Sequence, residues 1–520
     1  MKKVFFLVCY LTLLSISTMS QTPTWSDKVA RLIYDNCAEC HHAGGIAPLN
    51  FDNYNDASTY ASSIKSAVLD RRMPPWMPNS NYQHFKGERV LEQNEINDIV
   101  AWANGGAPAG NLGTAPVPPV FSNGAKMNPI DKTVTIPTYS VASNTDVYRC
   151  FVIPSGNSVA KYISQVEFMP ANQSIVHHIL LYQDTSGVCQ TLDNNDPLPG
   201  YSSSGGGVGA SKATLIGGWV PGGNLIDIPS GMGIRLAKNA DFVIQIHYAP
   251  GSLLQRDSTS INFKYATSGS IREVYVAPVL NHVAPSLING PLFIPANTVK
   301  SFTQKYTLPS NIDISLISVA PHMHLIGRTY KVYGVKSAGD TMPMIHIPAW
   351  DFHWQGAYTF QRIMKVPRST VLWGEASYDN TPNNPFQPNS PPTNVFLGEG
   401  TNDEMMLVYF TYTLYQPGDE NIVLDSSIFA TGINAPILEK LAVFPNPTKG
   451  SISLSYLLNA QEAAEIIIYD LTGRILFNQK QLPAVGLQQM ELSTDDLPVG
   501  MYLINIKVGS KNNLLKFFKE

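Results

Sequence analysis

Apolar residues recur every three or four positions in "LEQNEINDIVAWANGGAP" (residues 91–108), and the run ends on Gly-Gly and Pro. That spacing predicts a helix that stops at Gly105. It closes a helical, His- and Met-containing block from about Trp25 to Ala107. The Pro/Gly-rich stretch "GNLGTAPVPPVFSNGAK" that follows reads as a linker. From about Met127 to Tyr415 the period changes. Short β-branched and aromatic runs alternate with Gly, Pro and Asn turns, the pattern of β-sandwiches, over a length sufficient for two. After a second joint near "ATGINAPILEK", the last eighty or so residues repeat the strand pattern in "SISLSY", "EIIIYDLTGRILFNQ", with a turn at Thr472-Gly473, and "GMYLINIKV".

Composition agrees with this picture. With 520 residues the chain exceeds what one core holds, and 38 Gly and 38 Pro against 14% charged residues fit a loop-rich, mostly β protein. A net charge of −4 offers no footprint for nucleic acid or an anionic membrane surface. The N-terminus "MKKVFFLVCYLTLLSISTMSQ" has a basic start, a short apolar stretch and small residues before a cut, which marks residues 1–20 as a secretory signal. Cys9 leaves with the signal, and no later segment is apolar enough to span a membrane. Cys37, Cys40, Cys150 and Cys189 remain, in a compartment that permits oxidation.

The first two of these belong to "CAECHH" (Cys37 to His42), which fits C-x-x-C-H, the attachment signature of a covalent c-type haem. Two thiols one helical turn apart suit the two vinyl groups of the porphyrin, and His41 then reaches the iron from one face. A redox dithiol is the competing reading. Met73 in "DRRMPPWMP" is the expected sixth ligand, with Met77 and His84 as alternatives; a thioether there favours electron transfer over ligand binding. His42 is expected to be an exposed neighbour. The block resembles small cytochrome c domains with an "MPPW"-type ligand loop.

In "SVAPHMHLIGRTYKVYG" His322 and His324 stand one residue apart. On a strand, residues i and i+2 share a face, so two imidazoles would project side by side. Two buried core histidines, each with its own hydrogen-bond partner, are the plainer alternative. "SIVHHILLYQD" adds His177 and His178, "DFVIQIHYAPG" adds His247, and "GEGTNDEMMLVYFTY" offers Met405 and Met406 beside two carboxylates.

Together with "GGWVPGG" and "PSGMGIRL", and in this order, these segments resemble the copper type II, ascorbate-dependent monooxygenases that include peptidylglycine α-hydroxylating monooxygenase and dopamine β-hydroxylase. The resemblance covers about Thr133 to Tyr415. It implies two jelly-roll-like β-sandwiches, each holding one copper, facing across an open cleft. His177, His178 and His247 would hold the electron-storing copper. His322, His324 and Met405 would hold the copper where oxygen is activated, with Tyr409 a further catalytic position. Imidazole suits both copper valences and a thioether favours Cu(I). Adjacent His177 and His178 point to opposite faces of an ideal strand, so sharing one ion requires a local distortion or different ring nitrogens. Met406 is expected in the core, and His282, His346 and His353 in structural or surface roles. The resemblance also implies a disulfide between Cys150 and Cys189, two free thiols being the alternative. Two positions depart from the family: Ala320 stands where the peptide-amidating members carry an arginine for the substrate carboxylate, and Leu407 replaces an asparagine. A glycine-extended peptide is therefore not the expected substrate.

"VFPNPTKGSISLSY", "IIIYDLTGRIL" and "LPVGMYLINIKVGSKNNLLKFFKE" resemble the C-terminal sorting domain of the type IX secretion system; an Ig-like accessory module is the alternative. The resulting expectation is a multidomain, mainly β protein. It comprises the signal peptide (1–20), a small α-helical cytochrome c domain (24–108), the linker (109–128), two sandwiches (129–268 and 269–428) and an Ig-like sorting domain (439–520). The expected activity is hydroxylation of a C–H bond of a small organic substrate by O2, using two copper ions and one haem c. Electrons come from ascorbate or another external donor, relayed by the haem. The expected partners include the type IX machinery but neither nucleic acid nor, in the mature protein, a membrane segment. The expected location is the cell surface or the medium. The rival is a non-catalytic copper and haem electron-transfer or copper-binding protein.

Overall fold

The computed structural model describes residues 22–426 and 439–520, apart from short segments at 44, 122–123, 204–206, 224, 268, 459–462, 472–473, 483–485 and 509–510. The signal peptide and the Thr472-Gly473 turn lie outside the described residues, as does most of the second joint. Two compact units are present, residues 1–424 and 425–520. The protein is mainly β, with several antiparallel sheets and a small helical part at the N-terminal end.

The helical part packs Ala30–Asn36, Ala61–Leu69 and Gln93–Asn104 around Trp25, Ile33, Val68, Ile99 and Trp102. The last helix is the one its apolar period predicts. The Glu92 backbone N–H donates to the Glu95 carboxylate at 2.8 Å at its start, and it ends at Gly105. This region is not self-contained. Phe85 is 1% exposed inside the core of the second sandwich, the Asn79 N–H donates to the His346 carbonyl (2.8 Å), and the Lys86 N–H donates to the Thr359 carbonyl (2.7 Å). Residues 76–86 thus belong as much to the β-region as to the helices.

A five-stranded sheet places Val147–Pro154, Asp241–Tyr248 and Val176–Asp184 side by side, with Asp241–Tyr248 central. A nine-stranded sheet lies across the boundary expected at 268/269. Met232–Leu236 of the first half pairs in parallel with Arg272–Leu280 of the second, which continues to Leu407–Leu414 and Ile314–His322. The two sandwiches therefore share one sheet instead of being separate bodies. Pairing the two edge strands satisfies backbone groups that either half would otherwise expose. Ile317 and Ile363 from the second half enter the core of the first. The second half is completed by a four-stranded sheet in which Val371–Asn380 pairs with Thr298–Thr307 and Gly327–Val335.

The C-terminal unit has two sheets: Glu439–Phe444, Ser451–Leu458 and Gly486–Ser493, and Ile475–Gln481, Ala464–Asp470, Gly500–Val508 and Lys511–Lys519. Ile452, Leu454, Tyr456, Ile466, Ile504 and Phe517 fill its core. Among the described residues no helix is long and apolar enough to cross a membrane.

Candidate metal centres

His178 on Val176–Asp184 stands opposite His247 on Asp241–Tyr248, but Tyr248 stands opposite Val176. One residue, His177, is therefore extra. This β-bulge supplies the distortion that two adjacent histidines need in order to face one point. One ligand nitrogen from each of His177, His178 and His247 lies within 4.8 Å of the others, and the Nδ1 atoms of His177 and His178 are 3.3 Å apart. His247 is 1% exposed. Its Nε2–H donates to Asp146 Oδ1 at 2.7 Å, while its Nδ1 is buried without a hydrogen-bond partner. A buried nitrogen without a partner beside two other imidazoles is the donor set of a metal site, so the three residues could hold a metal ion. Tyr148 stacks on His247 at 4.2 Å and 7°. Burial and the neighbouring rings lower the His177 pKa to about 3 and push that of His178 well below its ordinary value, so both are neutral donors at pH 7.

The second set differs from expectation in one respect. The strand Ile314–His322 stops at His322, paired with Leu407, and His324 lies just beyond it. The physical reason is Glu404. Its buried carboxyl group, whose pKa burial raises to about 8 against the pull of these same bonds, accepts the backbone N–H groups of His324 and Ile326 (2.9 Å each) and of Met405 (3.2 Å), taking the place of a strand partner. The same carboxylate thus ties the backbones of two expected ligands, His324 and Met405, to one point. His324 Nδ1–H donates to the Asp403 carbonyl at 3.0 Å and His322 Nδ1–H donates to Gln355 Oε1, which leaves Nε2 of each ring for a metal. The two ring centroids are 5.0 Å apart. Burial lowers the His322 pKa to about 4 and that of His324 well below the usual range. Tyr409 stands opposite Ala320, as Leu407 does opposite His322, so these four share one face of the sheet. Burial raises the Tyr409 pKa to about 12.

The two sets lie close together. The Phe352 ring stacks on His177 at 4.7 Å and meets His324 edge-on at 5.5 Å, which brings those imidazoles within about 10 Å of each other. One aromatic ring thus touches an imidazole of each set. The loop before Met405 also reaches both sets. Thr401 Oγ1 donates to Asp146 (2.7 Å), Tyr148 O–H donates to the Glu399 carbonyl (2.6 Å), and Asp403 and Glu404 hold His324. Sequence reasoning missed Asp146, Tyr148, Phe352 and Gln355. Nothing in their local pattern marks them, whereas Glu404 was visible as a carboxylate beside Met405 but without a role.

In the C-x-x-C-H segment the Cys40 and His41 backbone N–H groups both donate to the Cys37 carbonyl (3.2 and 3.0 Å), so the two thiols lie one turn apart. His41 Nδ1–H donates to the Leu49 carbonyl at 2.9 Å, leaving Nε2 available, and the ring stacks on Phe51 at 4.5 Å. That arrangement fits a haem iron ligand. Met73 follows the helix Ala61–Leu69, its N–H donating to the Ala67 carbonyl (3.2 Å). The alternatives are engaged elsewhere: the Met77 sulfur accepts the Asp351 N–H at 3.2 Å, and exposed His84 pairs with Glu88 at 3.0 Å. His42 stacks on Phe121 of the linker at 4.2 Å.

Met406 is fully buried in the second core. His353 is exposed and pairs with Asp351, the His346 carbonyl accepts from Asn79, and His282 Nδ1 faces the Met406 N–H at 3.5 Å. Cys150 and Cys189 are free thiols here, not a disulfide. Both are buried in one cluster with Tyr201, Val208 and Val243, and the Cys189 S–H donates to the Val208 carbonyl at 3.4 Å.

Residues 442–520 match the family model described as "Secretion system C-terminal sorting domain". Among solved structures, the chain is similar to Faecalibacterium prausnitzii β-glucuronidase (12% identity, 42% of this chain and 37% of that one, TM-score 0.14). It is also similar to Parabacteroides merdae β-glucuronidase (10%, 42% and 27%, TM-score 0.13). A third is PNGase F, a glycosylasparaginase from Flavobacterium meningosepticum (12%, 55% and 96%, TM-score 0.22). The chain spans less than two fifths of the length of these β-glucuronidases. TM-scores of this size do not define the fold of the chain. The C-terminal segment is a type IX secretion sorting domain, and it directs the protein across the outer membrane to the cell surface or the medium.

Proposed function

We propose that residues 24–426 form a copper-dependent monooxygenase with its own c-type haem, which hydroxylates a C–H bond of a small organic substrate. The overall balance is RH + O2 + two electrons + two protons giving ROH + H2O. The observation that carries this reading is the convergence of His177, His178 and His247, with the His247 Nδ1 buried and unpartnered, within about 10 Å of a second imidazole pair.

In this reading His177, His178 and His247 hold one copper, and His322, His324 and Met405 hold the other. Cys37, Cys40 and His41 hold the haem, with Met73 as its sixth ligand. When bound, these groups would supply one-electron transfer and the reduction of O2. The chain's own contribution is orientation and exclusion of water. Asp146 fixes the tautomer of His247; Gln355 and the Asp403 carbonyl do the same for His322 and His324. Glu404 keeps Met405 beside His324. Ala320, Leu407 and Tyr409 offer the substrate an uncharged wall, and at position 320 a carboxylate-bearing peptide meets a methyl group instead of a guanidinium.

Two electrons must come from outside, from ascorbate or another donor. The test is metal and haem content of the mature full-length chain, followed by oxygen uptake against a panel of neutral organic compounds. Two coppers, one haem and substrate-dependent uptake are expected. Uptake that no substrate stimulates would favour the second reading, a surface electron-transfer protein, to which the small, uncharged Ala320 and Leu407 also lend support.

A further inference from the structure

The short segment Trp350–Gln355 touches three regions that are distant in sequence. Trp350 Nε1–H donates to the His324 carbonyl (3.1 Å), and Gln355 Oε1 accepts the His322 Nδ1–H. Between them, buried Phe352 contacts His177 of the first set and His324 of the second. The segment's backbone is anchored from the N-terminal region, where the Met77 thioether accepts the Asp351 N–H at 3.2 Å. Its neighbour Trp76 packs edge-on against Tyr358 at 5.5 Å. Asp351 in turn stiffens the turn by accepting the His353 N–H at 2.9 Å.

We propose that Phe352 is a positioning residue that sets the separation of the two histidine sets, and that Met77 holds it in register from the N-terminal region. The inference rests on the copper reading only for the use to which the spacing is put. A ring in van der Waals contact with one imidazole from each set acts as a spacer in a close-packed interior. Removing it lets the sets approach or admits water between them. The Met77 contact lies one residue from Phe352, so losing that acceptor frees the backbone that aims the ring. The helical region would then influence both metal sites without touching either.

The test uses the full-length chain, metal-free and labelled with 15N-histidine, so that its eleven histidines report by NMR. In Phe352→Ala, and in Phe352→Leu, which keeps most of the volume, His178, His247 and His322 should shift along with His177 and His324, although none of the first three touches the ring. Met77→Ala should produce a smaller shift in the same five signals, and Met77→Gln, which restores an acceptor, should reverse it. With both sets loaded with Cu(II), dipolar broadening of the EPR signal should change in Phe352→Leu and Met77→Ala. Responses confined to the histidines that meet the ring, His177, His324 and His353, or an unmoved spectrum in Met77→Ala, would overturn the proposal. Failure of the native chain to bind Cu(II) would instead remove the copper reading, and the NMR result would still decide this one.

Discussion

The side chain of Asp146 accepts the Nε2–H of His247 at 2.7 Å and the hydroxyl of Thr401 at 2.7 Å, so one carboxylate links an imidazole of the first set to the loop that carries Met405. Those two bonds lower the Asp146 pKa despite partial burial, so the group is a carboxylate at neutral pH. It holds the His247 proton on Nε2 and leaves the buried Nδ1 without a hydrogen-bond partner.

Asp146→Ala should therefore weaken copper binding at the first set by about 10- to 100-fold, the usual cost of losing a carboxylate behind a metal-bound imidazole. A competition titration with a Cu(I) chelator measures it. Asp146→Asn, which keeps an acceptor oxygen, should lose less. Equal affinity in native and Asp146→Ala chains would mean that His247 is a packed core histidine.

How much of this was legible in the sequence depends on the distance over which each signal acts. The helix at Gln93–Asn104 was legible because an apolar period and a Gly-Gly stop are local. His177 and His178 declared the need for a distortion because strand alternation is a local rule, and the bulge opposite His247 supplies it. The extent of a strand was not legible at His324, because the ladder there is replaced by a carboxylate 80 residues away. Nor was the shared sheet legible: Met232–Leu236 and Arg272–Leu280 are both ordinary strand patterns, and which edge meets which is a tertiary matter. Phe352 reads from its neighbours as any buried aromatic. Its place between His177 and His324 exists only after the chain has folded.

Glu404 is the second pivot. Three backbone N–H groups point at its two oxygens, a demand that a glutamine amide cannot meet because one of its two heads is itself a donor. Glu404→Gln should leave at least one buried N–H unpaired and cost about 1–3 kcal/mol. Urea unfolding of the metal-free chain measures that loss. Copper affinity at the second set should fall as well, since Met405 and His324 lose their common tether, while the first set keeps its affinity.

The sorting domain gives a prediction separate from the chemistry. A chain ended after residue 426 lacks the segment matched at 442–520 and should remain in the periplasm of a type IX-competent host, while the full chain reaches the surface or the medium. Fractionation and immunoblotting distinguish the two. The shortened protein contains the whole of the unit 1–424, so its metal content should match that of the full-length chain.

Acid stability tests the sheet that joins the two halves. Asp419, buried, accepts two bonds from Arg272 (2.7 Å each) and one from the Ser315 hydroxyl (2.6 Å), and these lower its pKa to about 2 against the cost of burial. Because the folded value lies below the unfolded one, of about 3.9, the stabilisation is complete above pH ~4 and is lost as pH falls towards 2. A depression of this size corresponds to about 2 kcal/mol. Arg272 opens the strand that meets Met232–Leu236, so the loss falls on the junction itself. Asp419→Asn should lower stability by a similar amount at pH 7 and flatten the pH dependence between 4 and 2. Denaturant midpoints taken at half-unit steps of pH measure both effects. An unchanged slope in Asp419→Asn would assign the acid lability to other carboxylates.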